Sequence, residues 1–147
     1  MTETLTLMME QLIPKDNLQD DTDHHKTTRG LTKKPINTAD DKEFTQDEVR
    51  QVMEGFKSKK APGPDGITSE TLKLLYKGIP NTITYIYNEC LRTGLFPTNW
   101  KTARILPVTK PGWEDSIDPL MYRPISLHNT QCKVLEKLLI KRIMYHI

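Results

Sequence analysis

Apolar residues recur at intervals of three and four in five segments of this chain, which is the spacing of one face of an amphipathic helix. Thr45 followed by Glu48 is a capping-box signature at the start of the second segment. The predicted helices cover residues 3–13, 46–57, 69–78, 80–93 and 129–147. The last of them carries a long apolar stripe, formed by Val134, Leu135, Leu138, Leu139 and Ile143.

Two segments before the last helix have the composition of β-strands. Residues 103–109 favour an extended backbone, and Pro107 restricts this strand to the edge of a sheet. Residues 122–127 return after a polar loop, and Pro124 favours an extended backbone at Arg123. The whole pattern predicts an α+β fold that is mostly helical, with one β-hairpin that has a long tip.

A polar segment separates the first helix from the rest of the chain. Asp, Lys, Thr, Asn and His dominate residues 15–43, and the few apolar residues there are isolated. Such a composition buries little apolar surface and is typical of a linker or a poorly ordered tail. We therefore predict a short amphipathic helix over 1–14, a polar linker that can be disordered over 15–43, and a folded region over 44–147.

The composition indicates a locally basic surface. Charged residues make up 27% of the chain, but the formal net charge is only +2, so net charge alone points to no partner. Residues 44–147 hold 15 basic and 10 acidic side chains, and no Asp or Glu occurs from Cys90 to Trp113. Such a stretch is either a contact surface for a phosphate-bearing partner or a solvated face.

The sequence predicts neither a disulfide framework nor a membrane segment. Cys90 and Cys132 lie at apolar positions of predicted helices, as reduced core thiols do. No signal peptide is evident, and no apolar run approaches the roughly 20 residues that span a bilayer. We expect an intracellular protein, in the nucleus or the cytoplasm, that is not secreted.

The hairpin carries the strongest candidate site. Lys110 stands at the end of the first strand and Arg123 at the start of the second, so they can approach each other across an antiparallel pair. A lysine point charge and an arginine fork that converge on one place suit a polyphosphate. The alternative is two exposed cations on a sheet edge, where they discourage aggregation.

A second candidate is the turn at 61–66, which contains two prolines and two glycines. Lys59, Lys60 and the backbone of Gly63 could clamp a nucleic-acid backbone, for which affinity comes mainly from charge. Lys101 and Arg104 extend this basic surface. The alternative is a structural turn preceded by lysines that complement a helix dipole.

Candidate metal and catalytic sites are weak or absent. Residues 21–25 (DTDHH) lie in the polar linker, and Asp40 and Asp41 lack the flanking apolar strands that would hold two carboxylates on a metal. No Ser-His-Asp or Cys-His arrangement is evident, and no glycine-rich phosphate loop lies between a strand and a helix. We predict no catalytic residue and no metal ligand in this chain.

Four sequence blocks resemble the reverse transcriptases of non-LTR retrotransposons. Each block alone is a weak signal, whereas the four together, in the family's order and approximate spacing, are specific. The similarity covers residues 44–147. The blocks are Lys60–Ile67 (KAPGPDGI), Gly94–Pro97 (GLFP) with Trp100, Lys101 and Ala103, Pro107–Gly112 (PVTKPG) with Tyr122–Leu127 (YRPISL), and Lys133, Glu136, Lys137 and Arg142 in the last helix.

The resemblance implies a fingers subdomain. In the family, the lysine and the arginine that match Lys110 and Arg123 contact the triphosphate of the incoming deoxynucleotide. The turn that matches residues 60–67 lies near the template strand. The implied partners are an RNA template, a DNA primer, a deoxynucleoside triphosphate and a palm domain.

In the family, metal-binding aspartates follow the matched region, and this sequence ends before them. The resemblance thus implies a fragment of an RNA-directed DNA polymerase, a nucleotidyltransferase, that is inactive by itself. Mg²⁺ is implied for the full-length enzyme and no cofactor for this chain. Two alternatives stay open: a non-catalytic nucleic-acid-binding module, and a helical interaction protein that exposes Leu135, Leu138 and Ile143.

Overall fold

The computed structural model of the protein describes residues 2–13, 16–31 and 42–145. Its helices are α1 (Thr2–Leu12), α2 (Asp23–Leu31), α3 (Gln46–Glu54), α4 (Ser69–Gly78), α5 (Pro80–Thr93) and α6 (Thr130–Tyr145). Strands β1 (Ala103–Thr109) and β2 (Tyr122–His128) form one two-stranded sheet, and short 3₁₀ helices occupy Leu18–Asp20, Thr98–Lys101 and Pro119–Met121. The predicted α+β fold, mostly helical with one hairpin, is confirmed.

The chain divides into two compact units. One is formed by residues 1–36 and 105–126, and the other by residues 37–104 and 127–147. The first unit contains α1, α2 and the tip of the hairpin, and α1 contacts the 3₁₀ helix at Pro119–Met121. The second, which we call the helical unit, contains α3 to α6. The sequence pattern instead predicts one folded region over residues 44–147.

The helical unit is built around the apolar faces of α3, α4, α5 and α6. The predicted capping box fixes the start of α3: Thr45 Oγ1 accepts a hydrogen bond from the Glu48 N–H, and Glu48 Oε2 accepts one from the Thr45 N–H. These two bonds satisfy backbone donors that the first helical turn leaves unpaired. The buried apolar residues are Phe44, Val49, Val52, Met53, Leu72, Tyr76, Ile83, Tyr87, Cys132, Val134, Leu135 and Leu138.

The apolar stripe of α6 is mostly buried. Leu135 and Leu138 are each 2% exposed, whereas Ile143 is 58% exposed. The exposed stripe that the interaction-protein hypothesis requires is therefore wrong at two of its three positions, because α6 packs against α3 and α4.

α3 ends at Glu54, before the predicted end at residue 57. Lys73 of α4 donates from Nζ to the carbonyl oxygen of Phe56 at 2.7 Å and to that of Glu54 at 3.3 Å. The cation that complements the C-terminal end of α3 thus comes from α4. The lysines that follow α3 in the sequence are not needed for this purpose.

Part of the predicted linker is helical. Within residues 16–31, Arg29 donates from Nε to Asp21 at 2.6 Å and from Nη2 to Asp16 at 2.7 Å. The hydrogen bond from Arg29 Nη2 and the guanidinium charge hold the pKa of Asp16 below its ordinary value. The linker prediction missed α2 because ion pairs, rather than apolar burial, tie this segment together. Residues 32–41 lie outside the described part of the chain.

The proline-glycine turn packs against the start of α6. Gly63 is buried, and a Cβ added to it would lie 2.5 Å from the Asn129 backbone nitrogen and 2.6 Å from the His128 carbonyl carbon. Thr130 Oγ1 donates a hydrogen bond to the Ile67 carbonyl at 2.7 Å across the same contact. Only glycine fits at position 63, because two of the three nearest opposing atoms belong to the backbone and cannot swing away.

We expect Gly63→Ala to lower the free energy of unfolding by about 1–3 kcal/mol, because overpacking forces the turn away from α6. Urea denaturation followed by circular dichroism measures this change. Gly78→Ala is the matched control, since its added Cβ would meet nothing within 4 Å. The control should leave the stability unchanged or raise it by at most about 1 kcal/mol. Equal stability of Gly63→Ala and the wild type would contradict the close contact.

Candidate functional site

The tip of the hairpin fixes the register of its two strands. The Lys110 N–H donates a hydrogen bond to the Met121 carbonyl at 2.8 Å, so residues 110 and 121 lie opposite each other just beyond the strands. One step back along each antiparallel strand places Thr109 opposite Tyr122, and a second step places Val108 opposite Arg123. The equal lengths of β1 and β2 agree with this register.

This register places Lys110 and Arg123 on the same face of the hairpin. Side chains alternate between the two faces of a strand, so Lys110 shares its face with Val108 and hence with Arg123. The two cations are diagonal neighbours, whose Cα atoms are typically about 7–8 Å apart. Val108, Arg123 and Ile125 are all exposed on this face. Backbone pairing thus brings together the two residues predicted to bind a polyphosphate.

The two cations differ in their present contacts. Lys110 Nζ donates to the Leu120 carbonyl oxygen at 2.7 Å, which is a neutral acceptor within the hairpin tip. The Arg123 guanidinium forms no hydrogen bond or ion pair with the residues that the structure describes. An exposed guanidinium with this freedom can turn its planar fork toward an anion.

Local hydrogen bonds shape the loop between the two strands. Tyr122 Oη donates to the Ser116 carbonyl at 2.7 Å, and Asp118 Oδ1 accepts from the Leu120 N–H at 3.0 Å. The Trp113 N–H donates to the Lys110 carbonyl at 3.1 Å. The loop therefore folds back on itself, and its bonds hold the backbone on both sides of Lys110.

The residues after α3 form a second cationic segment, the lysine loop (57–60). Lys59 has a φ of 58°, in the left-handed region that few residues other than glycine adopt. The Lys59 N–H donates to Glu70 Oε1 at 2.6 Å, and Ser69 Oγ donates to the Lys57 carbonyl at 3.1 Å. The first residues of α4 thus hold the lysine loop by its backbone.

The hydrogen bonds at Glu70 also determine its protonation. The Lys59 N–H and, after it, the N–H of Glu70 itself lower the pKa of the Glu70 carboxyl to about 2. A carboxylate that accepts backbone N–H groups is stabilised in its charged form. Glu70 therefore stays ionised and bound to the lysine loop at neutral pH.

Asn129 connects the proline-glycine turn with the segment before β1. Its Oδ1 accepts from the Asp65 N–H at 3.4 Å, and its Nδ2 donates to the Asn99 carbonyl at 3.0 Å. Asn129 is 4% exposed, and an amide side chain can donate and accept at the same time. The sequence alone does not reveal this role, because an Asn at a strand–helix junction is typical of a helix cap.

The remaining predicted nucleic-acid contacts also lie in the helical unit. Lys101 ends the 3₁₀ helix at Thr98–Lys101, and Arg104 is the second residue of β1; both are exposed. The Trp100 ring contacts the Phe96 ring at a centroid distance of 6.1 Å and anchors this segment. Gly63, by contrast, is buried against α6, so its contact with nucleic acid stays a prediction beside its structural role.

Residues 2–13, 16–31 and 42–145 contain no group of three or more His, Cys, Asp or Glu side chains that could hold a metal ion. The predicted weak candidate at 21–25 lies at the start of α2, and Asp40 and Asp41 lie outside the described residues. In the described part of the chain, no helix combines the length and the apolar character needed to cross a bilayer.

Both cysteines are free thiols. Burial raises the pKa of Cys132 to about 11, and it also raises the pKa of Cys90. A thiol with a raised pKa holds little thiolate near neutral pH and is a poor nucleophile. The cysteines are therefore packing residues, as predicted.

Acid should weaken the attachment of the lysine loop. Because the pKa of Glu70 is lowered in the folded state, its ionised form stabilises the protein above the ordinary value of 4.5. This contribution is lost as the pH falls toward about 2. We expect Glu70→Gln to remove the corresponding part of the pH dependence of the urea midpoint.

Carboxyl NMR titration measures the pKa of Glu70 directly. Lys59→Gly is the matched control, because glycine tolerates the left-handed backbone and keeps the N–H that Glu70 accepts. The pKa of Glu70 should therefore stay low in this variant. An ordinary pKa in the wild-type protein would show that the bond to Lys59 is not formed.

Comparison with known proteins identifies relatives of this chain. No protein-family model matches it. The retrovirus-related Pol polyprotein from the type-1 retrotransposable element R1 of Bradysia coprophila is 36% identical over 101 residues, which are 69% of this chain and 10% of that protein. The RNA-directed DNA polymerase from mobile element jockey of Drosophila funebris is 38% identical over 100 residues, 68% of this chain and 11% of that protein.

A third relative extends the comparison. The probable RNA-directed DNA polymerase from transposon BS of Drosophila melanogaster is 40% identical over 98 residues, which are 65% of this chain and 11% of that protein. The chain thus spans about a tenth of the length of the curated relatives it matches. By homology over about two thirds of its own length, it belongs to the family of non-LTR retrotransposon reverse transcriptases.

Proposed function

We propose that this chain forms the fingers part of a retroelement reverse transcriptase. Lys110 and Arg123 hold the triphosphate of the incoming deoxynucleotide, while Lys59, Lys60, Lys101 and Arg104 contact the RNA template. The observation that carries the proposal is the backbone pairing at the hairpin tip, which makes Lys110 and Arg123 diagonal neighbours on one face. Homology to RNA-directed DNA polymerases supports the same class of reaction.

The two hairpin cations suit a triphosphate in complementary ways. The Lys110 ammonium can leave the neutral Leu120 carbonyl for a phosphate oxygen, because a hydrogen bond between two charged groups is roughly twice as strong as one between neutral groups. The Arg123 guanidinium can bind two oxygens at once through its planar fork. A substrate with several adjacent charged oxygens satisfies both groups, whereas a single carboxylate satisfies only one.

The other parts of this proposal concern the whole polymerase. RNA-templated DNA synthesis requires a DNA primer and carboxylates that hold Mg²⁺ near the reacting oxygens. The described residues of this chain contain no group of three or more possible metal ligands, so in this proposal a palm domain supplies the carboxylates that hold Mg²⁺. The enzyme would work inside the cell, in the nucleus or the cytoplasm.

A non-catalytic nucleic-acid-binding module is the second candidate function. It is favoured by the cations of the lysine loop, since the Lys57 and Lys60 ammonium groups have no hydrogen-bond or ion-pair partner among the described residues. Such a module would bind RNA but would not distinguish a nucleoside triphosphate from its nucleoside. Binding of free nucleotide at the hairpin therefore separates the two functions.

We expect Lys110→Ala and Arg123→Ala each to weaken the binding of dTTP about tenfold or more, because each removes hydrogen bonds to charged oxygens. NMR titration of backbone amides at constant ionic strength measures the affinity, and the shifts should centre on residues 108–123. Thymidine, which lacks the phosphates, should leave these amides unshifted.

Arg50→Gln is the matched control for loss of one arginine charge. Arg50 lies on α3 and pairs with Asp47 and Glu54 on the same helix. This variant should bind dTTP as the wild type does. If all three variants bind dTTP as the wild type does, the nucleotide site is refuted and the nucleic-acid-binding module is left.

A further inference from the structure

We propose that the helical unit contains a separate site for one nucleotide of a single-stranded nucleic acid. The site is the lysine pocket, a cavity of about 340 Å³ lined by Lys57 and Lys60 of the lysine loop, Lys133 of α6, and the apolar side chains of Phe56 and Leu127. This proposal rests on the proposed function, in which the chain contacts an RNA template. It adds Lys57 and Lys133 to the proposed template contacts, and it names the contacted group as a single nucleotide.

The charges of the lysine pocket favour an anion. None of the residues that line it is acidic, and its three ammonium groups have no hydrogen-bond or ion-pair partner in the described part of the chain. Like charges around one cavity repel each other, and a bound phosphate relieves that repulsion. Lysine is a common phosphate ligand because its ammonium is a compact charge on a flexible stem.

The ammonium groups of the three pocket lysines form no hydrogen bond, ion pair or cation–π contact that would stabilise the fold, among the residues that the structure describes. Lys73 complements the C-terminal end of α3, and Lys137 of α6 lies over the Phe56 ring at 4.3 Å from its centroid. Lys133, one helical turn before Lys137, faces the cavity instead. The neighbouring lysines thus have structural roles, and those of the pocket do not.

The two hydroxyl groups that line the pocket already donate hydrogen bonds within the protein. Ser69 Oγ donates to the Lys57 carbonyl, and Thr130 Oγ1 donates to the Ile67 carbonyl. These bonds hold the lysine loop to the start of α4 and the start of α6 to Ile67. The pocket is therefore shaped before a ligand arrives, which reduces the entropy that binding must overcome.

The apolar wall distinguishes a nucleotide from free phosphate. Phe56 and Leu127 offer no hydrogen bond to a small anion, but they can contact a sugar or the face of a base. Proteins that bind single strands combine a positive groove with aromatic side chains in this way. A volume near 340 Å³ also lies within the range of about 300–1,000 Å³ that is typical of small-molecule sites.

The salt dependence of RNA binding tests the proposal. For a single strand, each phosphate contact contributes about 0.7 to the slope of log K against log salt. Fluorescence anisotropy with a labelled oligouridylate, at several KCl concentrations, measures this slope for the full chain. We expect Lys133→Gln and Lys57→Gln each to lower the slope, by at most about 0.7, and Lys133→Arg to retain it, since arginine keeps the charge.

Lys141→Gln is the matched control. It removes the same charge from the same helix, but Lys141 does not line the lysine pocket. This variant should keep the wild-type slope, and thermal unfolding should confirm that all variants are folded. Equal slopes for the wild type and both pocket variants, or an equal loss in Lys141→Gln, would overturn the proposal.

Two further measurements identify the ligand and show whether the lysine pocket or the hairpin nucleotide site is refuted. Sodium phosphate at constant ionic strength should not displace the oligouridylate; displacement would overturn a site for a nucleotide. Lys133→Gln should bind dTTP as the wild type does. If Lys133→Gln lowers the RNA slope while Lys110→Ala leaves dTTP binding unchanged, the pocket stands and the hairpin site fails. If Lys133→Gln leaves the RNA slope unchanged while Lys110→Ala weakens dTTP binding, the pocket is refuted and the hairpin site stands.

Discussion

The contact between Gly63 and residues 128–129, which directly precede α6, is the constraint on which the helical unit depends. It leaves no space for a Cβ, and it brings the proline-glycine turn against the backbone at Asn129. The Asn129 side chain then forms hydrogen bonds with the backbone of both Asp65 and Asn99. These two bonds join segments that are far apart in the sequence. The lysine loop precedes one of these segments and Lys101 ends the other, so the placement of both follows from this contact.

Three acidic side chains of the helical unit accept hydrogen bonds from backbone N–H groups and form no ion pair with a lysine. Glu70 accepts from the Lys59 N–H, Glu48 from the Thr45 N–H, and Asp65 from the Ile67 N–H. Each bond shapes a turn or a helix end and also orients a negative charge toward the backbone. The ammonium groups of the lysine loop therefore have no carboxylate partner among the described residues, although acidic residues lie close to the loop in the sequence.

The elements that the sequence predicted well are those with both a periodic apolar face and a terminal signal. α5 begins at Pro80 and ends at Thr93, and the Gly94 that follows has a φ of 63°, the left-handed conformation that suits glycine at a helix end. α2 has no buried residue and no such face, and the ion pairs of Arg29 that hold it join positions 8 and 13 residues away. Periodicity cannot detect contacts of that kind.

The two cationic sites differ in how far the sequence could locate them. Lys110 and Arg123 flank a loop between two strands, so strand boundaries alone bring them to one end of the hairpin, and the register then assigns them to one face. The position of the Lys133 side chain depends on how α6 is rotated about its own axis within the helical unit. That rotation is set by the burial of Val134 and Leu138 on the core side of the helix.

This difference has a physical consequence for the two sites. The hairpin site is defined by backbone pairing between adjacent strands, so its geometry persists as long as the local register does. The lysine pocket lies between a loop and a helix that are distant in the sequence, so its geometry requires the packed core and the Gly63 contact. Partial unfolding of the helical unit should therefore separate the ammonium groups of the pocket while the hairpin keeps both of its cations on one face.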